Sequence, residues 1–338
     1  MPPLNAQWRL AARPAGLPKA SDWEYVEEPV PVPGEGQFVV ELEYLSLDPA
    51  MRGWMNEGRS YVPPVGIGEV MRAGGIGRVV ESRHPDFAVG ESVFGQFGVQ
   101  RYAVSDGRGV MRVDTSLAPA PVHLGALGMT GLTAYFGLLE VGRPERGQTV
   151  VVSGAAGAVG SVAGQIARIK GCRTVGIAGG PEKCAWLVEE LGFDAAIDYK
   201  AGELRAELRR HAPDRIDVYF DNVGGETLDE VLRRLARGAR VVICGAISQY
   251  NAEQPPRGPA NYMQLLVERA SMTGFLVFDY AARYPEAVAE LAGWLRTGQL
   301  RSREDVVRGG LERFPEVFLM LFRGENTGKL ILQLDGAQ

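Results

Sequence analysis

Small residues follow an apolar run at one point of this sequence, in the spacing that a bound phosphate requires. The segment 150–160 reads VVVSGAAGAVG, which predicts a buried strand, a tight turn and the start of a helix. Small side chains let the backbone approach a pyrophosphate closely, where the N–H groups and dipole of a helix N-terminus attract it. Ala155 stands where the usual motif has its first glycine, so the pattern is A-x-G-x-x-G. We expect a dinucleotide to lie against Gly157, Ala158, Val159 and Gly160.

The residues after the next strand indicate which dinucleotide fits. An NAD site needs an acidic side chain there to hold the ribose 2′-hydroxyl, but the strand predicted at 174–178 is followed by Gly179 and Gly180. The two glycines leave room for a larger group, and Lys183 follows one helical turn later with a mobile positive charge. Glu182 falls at the second helical position, where it complements the helix dipole. The sequence therefore favours NADPH, with Lys183 at the 2′-phosphate.

Strands that alternate with helices predict a parallel sheet around this motif. Continuous apolar runs, expected where helices cover both faces of a sheet, mark strands at 149–152, 174–178, 195–197, 217–220, 240–244 and 272–278. Apolar residues recur on one face of a helix at 161–170, Pro181 and Gly192 delimit a second, and a further helix follows near 286–296. These elements predict a Rossmann-type, doubly wound α/β domain.

The rest of the chain is dense in glycine and proline. Short alternating stretches such as 38–42 predict short strands joined by turns, in a small barrel or sandwich that is mostly β. The tail from residue 300 resembles this part, and its run 330–334 predicts a closing strand that returns to it. We therefore expect a mostly-β domain from residues 1–124 and 300–338, and the Rossmann domain from 125–299.

Composition argues against several other classes of protein. Of the 338 residues 46% are hydrophobic and 23% are charged, which is typical of a folded globular chain, and the net charge of −5 argues against binding to nucleic acid or to an anionic membrane. No apolar run reaches the length of about 18 residues that would span a bilayer. Cys172, Cys184 and Cys244 fit neither a disulfide framework nor a zinc motif, so we expect a reducing, cytoplasmic environment.

Several segments, taken in order, resemble one family of enzymes. They are LSLDP followed by MRG within 45–53, GMTGLTAY at 128–135, GAVG at 157–160, DNVGG at 221–225, CGAISQYN at 244–251 and ENTGKL at 325–330. The chain resembles the zinc-independent medium-chain dehydrogenase/reductases, in the branch of prostaglandin reductases, 2-alkenal reductases and curcumin reductases. The resemblance covers nearly the whole length, and the ordered set of matches is very specific.

This resemblance implies a GroES-like domain beside the Rossmann domain, with the active site between them. It implies a small-molecule substrate, an α,β-unsaturated ketone or aldehyde, whose C=C bond is reduced with NADPH. It also implies a homodimer, with the strand at 272–278 as the edge that pairs between subunits. By motif position, Lys183 and Tyr199 would contact the 2′-phosphate. The residues that would contact the nicotinamide side are Asn222, Cys244, Gly245, Ala246, Ile247, Ser248, Tyr250, Phe275, Leu276, Val277 and Asn326.

The chain departs from the family pattern at three positions. Ala50 follows Asp-Pro where members commonly have tyrosine, Thr130 replaces a proline, and Val99 replaces a tryptophan. We expect these changes to affect substrate specificity and not the cofactor. Zinc-dependent relatives bind their catalytic metal through a cysteine, a histidine before a glutamate, and a second cysteine or an acid. The matching positions here hold Asp48 and Gly68, so the sequence predicts an enzyme without a metal.

Without a metal, another group must donate to the substrate oxygen as negative charge develops on it. Tyr250 is the first candidate, because it follows a strand at the carboxyl edge of the sheet, where doubly wound folds bind ligands. Tyr61 and Tyr262 are alternatives, as are a ribose hydroxyl of the cofactor and a water molecule. Two other functions stay open: a quinone reductase of the same superfamily, and a dinucleotide-binding protein without turnover.

Overall fold

The structure, a computed structural model, describes residues 4–335, which form two compact units. The first unit combines the residues up to Leu124 with those from Glu304 onward, and the second is the continuous stretch from Gly125 to Arg303. Each unit has its own core of buried apolar side chains. Within residues 4–335, no helix is long and apolar enough to cross a membrane.

Strands predominate in the first third of the chain and alternate with helices from residue 149. The strands are β1 Leu4–Leu10, β2 Trp23–Pro29, β3 Phe38–Ser46, β4 Gly75–Ser82, β5 Ser92–Gly95, β6 Tyr102–Ser105, β7 Met111–Arg112, β8 Thr149–Ser153, β9 Arg173–Ala178, β10 Ala195–Asp198, β11 Ile216–Asp221, β12 Leu235–Ile243, β13 Ser271–Gly274, β14 Glu304–Arg308 and β15 Lys329–Gln333. The α-helices are α1 Ala50–Trp54, α2 Met129–Phe136, α3 Ala158–Ile169, α4 Pro181–Ala185, α5 Leu204–His211, α6 Gly225–Leu232, α7 Gln264–Glu268, α8 Tyr284–Arg296 and α9 Phe314–Arg323.

The first unit is built on a seven-stranded sheet. Its order is β14-β15-β3-β4-β5-β7, and β6 also pairs with β3. The tail of the chain enters this sheet because β15 pairs antiparallel with β3, with Ile331 opposite Ser46. Leu332 of β15 and the rings of Phe314 and Phe318 on α9 are fully buried in the same core. The core of this unit is therefore completed by the last strands of the chain.

The second unit is a six-stranded parallel sheet with the order β10-β9-β8-β11-β12-β13. Every residue of β8 is buried, so both faces of the sheet are covered, as its continuous apolar run predicts. On one face, Val151 of β8 packs in a cluster with Leu208 of α5 and Val231 of α6. The strand order reverses between β8 and β11, where doubly wound sheets bind ligands. The Rossmann-type prediction is confirmed.

The last strand of this sheet is shorter than its apolar run predicts. β13 ends at Gly274 and a 3-10 helix begins at Val277, so the strand predicted at 272–278 is wrong in its second half. The cause is tertiary packing. The ring of Phe275 packs against Gly137, and a Cβ on Gly137 would lie 2.3 Å from this ring. The Phe275 ring also contacts the Phe220 ring edge to face, with 6.4 Å between the centroids. The chain therefore leaves the edge of the sheet at this ring.

Candidate active site

A glycine-lined turn joins β8 to α3 at the carboxyl edge of the parallel sheet. Gly154 has a left-handed conformation (φ +58°), and Gly157 is the N-cap of α3. The first helical hydrogen bond runs from the Ser161 N–H to the Gly157 carbonyl (3.0 Å). The N–H groups of residues 158–160 therefore have no acceptor inside the helix, and the N-cap makes no side-chain bond to them. This end of α3 is suited to an anion.

The space around the turn fits a pyrophosphate. Among the described residues, a Cβ on Gly157 would meet only the Gly154 carbonyl oxygen, at 3.2 Å, so one side of Gly157 is open. A Cβ on Gly160 would lie 2.3 Å from the same oxygen, so glycine is needed there for the helix to pack against the turn. Ala155 is accommodated because the neighbouring strand has Gly176, where an added Cβ would lie 2.9 Å from the Ala155 methyl group.

Buried hydrogen bonds hold Asn222 beside this turn. Ser153 Oγ donates to Asp221 Oδ1 (3.0 Å) and accepts the Asn222 N–H (3.0 Å). The Asn222 side-chain amide donates to the Ser153 carbonyl (2.7 Å). Asp221 Oδ1 also accepts hydrogen bonds from the Tyr219 hydroxyl (2.8 Å) and from the backbone N–H groups of residues 223 and 224 (3.0 and 2.9 Å). These hydrogen bonds join the carboxyl ends of β8 and β11.

The two ionisable groups of this network are deeply buried. Asp221 is 1% exposed, and its Oδ2 atom has no hydrogen-bond partner among the described residues. Burial, together with the Asp221 charge, raises the pKa of Tyr219 well above its usual value, so this phenol stays protonated and donates. Sequence reasoning missed this network, because Ser153 and Tyr219 lie in strands whose neighbours are apolar.

The segment after β12 folds back onto Asn222. The N–H groups of residues 244 and 245 both donate to the Asp221 carbonyl (2.9 and 3.0 Å), and the Ile247 N–H donates to the Asn222 carbonyl (3.2 Å). The Tyr250 hydroxyl accepts the Ala246 N–H (3.1 Å). The structure therefore joins Asn222 and the segment 244–250 into one hydrogen-bonded unit.

The other residues predicted on the nicotinamide side are placed as follows. Burial, with the Asp221 charge, raises the pKa of the Cys244 thiol to about 12, so the thiol is neutral near pH 7. Ser248 Oγ donates to the Val223 carbonyl (2.6 Å). Leu276 caps the 3-10 helix in which Val277 is buried. In the first unit, the Asn326 amide donates to the Gly328 carbonyl (3.0 Å), which fixes the turn before β15.

The ends of β9 and β10 meet at the position predicted for the 2′-phosphate. Asp198 Oδ1 accepts the N–H groups of Gly180 (2.8 Å) and Lys200 (2.9 Å). A Cβ on Gly179 would lie 3.1 Å from the Tyr199 hydroxyl oxygen and 3.0 Å from Lys200 Cε. Tyr199 therefore lies beside the glycine that follows β9. Lys200, which follows Tyr199 directly, was not among the residues that the sequence predicted here.

The predicted cation and the glycines before it belong to one connection. Gly180 is the N-cap of α4 with φ +99°, and no atom of residues 4–335 lies within 4 Å of the position of a Cβ on it. Lys183 lies on α4, in the turn that follows, and is partly buried. Gly180 thus leaves the space beside it open, whereas the Cβ side of Gly179 is covered by Tyr199 and Lys200.

The three candidate tyrosines occupy different parts of the chain. Tyr61 belongs to the first unit, is 48% exposed, and accepts the Trp54 Nε1–H at its hydroxyl (3.1 Å). Tyr262 precedes α7 and is 56% exposed. Of these three tyrosines, Tyr250 is the one whose hydroxyl is hydrogen-bonded, within the described residues, to a residue predicted on the nicotinamide side, Ala246.

A buried ion pair occupies the position that matches the catalytic cysteine of zinc enzymes. Lys329 Nζ donates to Asp48 Oδ1 (2.6 Å) and to the Leu47 carbonyl (2.8 Å), and the lysine is 2% exposed. Ser46 Oγ donates to Asp48 Oδ2 (2.5 Å). Gly68, at the position of the histidine, has φ +82°. Across residues 4–335, no three His, Cys, Asp or Glu side chains are grouped to hold a metal ion.

Two family models match the chain, one in each unit. The family described as "N-terminal domain of oxidoreductase" matches residues 6–113, and the family described as "Zinc-binding dehydrogenase" matches residues 158–293. The second match begins at the first residue of α3, directly after the glycine turn, and includes Asn222 and the segment 244–250.

Proteins similar over the full length are also known. The NADPH-dependent curcumin reductase of Escherichia coli is 42% identical over 337 residues, 98% of this chain and 97% of that protein. The NADP⁺-dependent 2-alkenal reductase of Nicotiana tabacum is 41% identical over 337 residues, again 98% and 97%. Among solved structures, CurA from Vibrio vulnificus in complex with NADPH is 44% identical, with 98% of this chain and 99% of that chain covered and a TM-score of 0.92. The similarity extends through both units.

Proposed function

This chain belongs to the NADP-dependent oxidoreductases of the medium-chain dehydrogenase/reductase superfamily, in the curcumin reductase and 2-alkenal reductase branch, and we propose that it reduces the C=C bond of small α,β-unsaturated ketones and aldehydes with NADPH. The main support is the end-to-end similarity to enzymes named for that cofactor and for such substrates. The glycine turn and the lysine-rich end of β9 and β10 are the features of this chain that fit the cofactor.

The cofactor would be held by backbone groups at one end and by charged side chains at the other. When bound, NADPH supplies the hydride that the β-carbon of the substrate receives. The N–H groups of residues 158–160 would bind its pyrophosphate, and Lys183 and Tyr199 its 2′-phosphate. Asn222 and the segment 244–250 would line the nicotinamide side. Their hydrogen bonds to Ser153 and Asp221 orient them before any ligand binds, which reduces the entropy lost on binding.

The chain must also stabilise the charge that develops on the carbonyl oxygen of the substrate. We assign this role to Tyr250, because a neutral phenol can donate a hydrogen bond at pH 7. Its oxygen accepts the Ala246 N–H (3.1 Å), and a bond accepted by a hydroxyl group polarises its O–H and strengthens it as a donor. The enolate that remains after the β-carbon has received the hydride would then be protonated at its α-carbon.

Single hydroxyl deletions test the assignment. We expect Tyr250→Phe to lower kcat for enones roughly 10- to 1,000-fold while the NADPH dissociation constant stays nearly unchanged. Tyr61→Phe and Tyr262→Phe each remove one comparable hydroxyl group and serve as matched variants. A larger loss in either of them would move the donor role to that tyrosine. Full activity in all three would leave a ribose hydroxyl or water as the donor.

A panel of acceptors tests the reaction itself. NADPH oxidation is followed in parallel with 2-alkenals, enones and quinones, and we expect the highest kcat/KM for the enals and enones. A preference for quinones would instead favour a quinone reductase. NADPH binding without oxidation by any acceptor would favour a dinucleotide-binding protein without turnover.

We also propose that two copies of the chain pair along β13 and that the dimer works in the cytoplasm. All residues of this strand are exposed, and no strand among the described residues pairs with its outer edge. Leu266 and Val267, just before it in the chain, are 68% and 54% exposed. An identical edge is the simplest partner for such a strand. The three cysteines are free thiols, which suits a reducing compartment. Light scattering after size exclusion checks the dimer, and a monomeric mass would contradict it.

A further inference from the structure

The structure places a second lysine at the end of the site proposed for the 2′-phosphate. Gly179 is the first residue after β9, where doubly wound folds meet the adenosine ribose of a dinucleotide. Lys200 Cε lies 3.0 Å from the position of a Cβ on Gly179, so the Lys200 side chain runs alongside this glycine. The chain contains five lysines, and two of them, Lys183 and Lys200, follow the strands that end here.

Among the described residues, no carboxylate is paired with the Lys200 ammonium group. Its side-chain contact within residues 4–335 is with the ring of Tyr199, at 5.9 Å from Nζ to the centroid. By contrast, Lys170 pairs with Glu290 at 3.5 Å and Lys329 with Asp48 at 2.6 Å. Lys200 is therefore a positive charge that a bound anion can neutralise, and the Tyr199 ring keeps it near Gly179.

Asp198 fixes the backbone that carries this lysine. Asp198 Oδ1 accepts the N–H groups of both Gly180 (2.8 Å) and Lys200 (2.9 Å), which ties the turn after β9 to the residue after Tyr199. An acid near this edge binds a ribose hydroxyl in NAD enzymes. Here Asp198 Oδ1 accepts two backbone N–H groups, and these bonds hold Lys200 in position beside Gly180.

We propose that Lys200 is a second 2′-phosphate ligand and a determinant of specificity for NADPH over NADH, with Asp198 as its positioning residue. This inference rests on the proposed function and deepens it. A phosphate monoester carries a charge of about −1.5 to −2 near neutral pH. Two ammonium groups from different elements, Lys183 on α4 and Lys200 after β10, match that charge better than one.

Binding of two small nucleotides tests the proposal without turnover. Adenosine 2′,5′-bisphosphate and 5′-AMP differ only by the 2′-phosphate, and calorimetry gives both dissociation constants. In Lys200→Gln we expect the constant for the bisphosphate to rise roughly 10-fold and that for 5′-AMP to change by less than about 2-fold. Lys200→Arg keeps the charge and should retain most of the affinity. Lys19→Gln removes an exposed lysine of the first unit and is the control for net charge.

A double variant tests whether Asp198 acts by positioning Lys200. Asp198→Ala removes both accepted bonds and should weaken binding of the bisphosphate, and adding it to Lys200→Gln should increase the loss little, because both changes act through one ammonium group. Losses that simply add would separate Asp198 from Lys200 and overturn the positioning role.

The outcomes distinguish this inference from the proposed function. Equal weakening of both nucleotides in Lys200→Gln, or unchanged affinity for the bisphosphate, would overturn the role of Lys200. If the unmodified protein binds the bisphosphate no more tightly than 5′-AMP, the proposed use of NADPH fails as well. If that preference is present but Lys200→Gln retains it, only the inference about Lys200 fails.

Discussion

Replacing Asp48 by asparagine should leave a buried ammonium ion without its counter-ion. Lys329 is 2% exposed, and its Nζ lies 2.6 Å from Asp48 Oδ1. Burial lowers the pKa of Lys329 and Asp48 raises it, so removing the carboxylate leaves the unfavourable effect of burial. Unit charges 4 Å apart attract by about 4 kcal/mol at an effective dielectric constant of 20, and removing one partner of a buried pair costs about 3–5 kcal/mol. We expect Asp48→Asn to lower the free energy of unfolding of the first unit by about 3–4 kcal/mol.

A double-mutant cycle separates the charge effect from packing. Lys329→Met removes the ammonium group and keeps most of its volume, while Asp48 stays 28% exposed and bonded to Ser46, so we expect a loss of only about 1–2 kcal/mol. The double variant should resemble Lys329→Met, because no buried charge remains, so the coupling energy should equal the loss in Asp48→Asn, about 3–4 kcal/mol. Urea unfolding followed by tryptophan fluorescence measures all three variants, with the transition of the second unit as an internal reference.

The pKa of Lys329 determines how the stability loss in Asp48→Asn should change with pH. Because the pKa of Lys329 is lower in the folded state, the unfolded state binds more protons between the two values, and stability rises with pH there. Without Asp48 the folded pKa falls further, so the deficit of Asp48→Asn relative to the unmodified protein should shrink as pH is raised from about 7 toward 10. A deficit below about 1 kcal/mol at pH 7, or one that does not change with pH, would refute the reasoning.

Three further outcomes are expected. Gly157→Ala should keep nearly the original melting temperature but lower the affinity for NADPH roughly 10-fold or more, because its methyl group would fill the open side of the turn. Gly160→Ala should lower both quantities, since its Cβ would lie 2.3 Å from the Gly154 carbonyl; thermal melts and NADPH titrations check the pair. Dialysis against a chelator should leave turnover unchanged, and activity that is lost and then restored by zinc would contradict the metal-free assignment. Burial raises the pKa of Cys172 to about 11 and of Cys244 to about 12, so iodoacetamide at pH 8 should label them slowly in the native protein and quickly in urea; rapid native labelling, detected by mass spectrometry, would contradict this.

Continuous apolar runs were sufficient to predict the parallel sheet, because burial of both faces leaves few polar residues in such strands. The run 149–152 became β8 with every residue buried. The same signal failed at 272–278, since it does not tell whether a chain follows the sheet edge or turns away from it. Phe275 decided that point by packing against Gly137, a residue in a different part of the sequence.

The site was predictable where the sheet order determines proximity. Asn222 and the segment 244–250 follow β11 and β12, which are parallel neighbours, so their ends meet at one edge. The Ser153–Asp221 bond and the Asp48–Lys329 pair were not predicted. They join residues 68 and 281 positions apart, and each depends on the register between strands and on which side chains face each other.

The sheet of the first unit has a consequence for biosynthesis. β15 lies between β14 and β3, and both late strands leave the ribosome only after the whole second unit has been translated. The continuous second unit can complete its fold during elongation, whereas in the first unit residues 44–46 of β3 must wait for β15. A nascent chain that ends before β15, at Lys329–Gln333, therefore exposes unpaired backbone at the end of β3 and an open core, which is where a chaperone would bind.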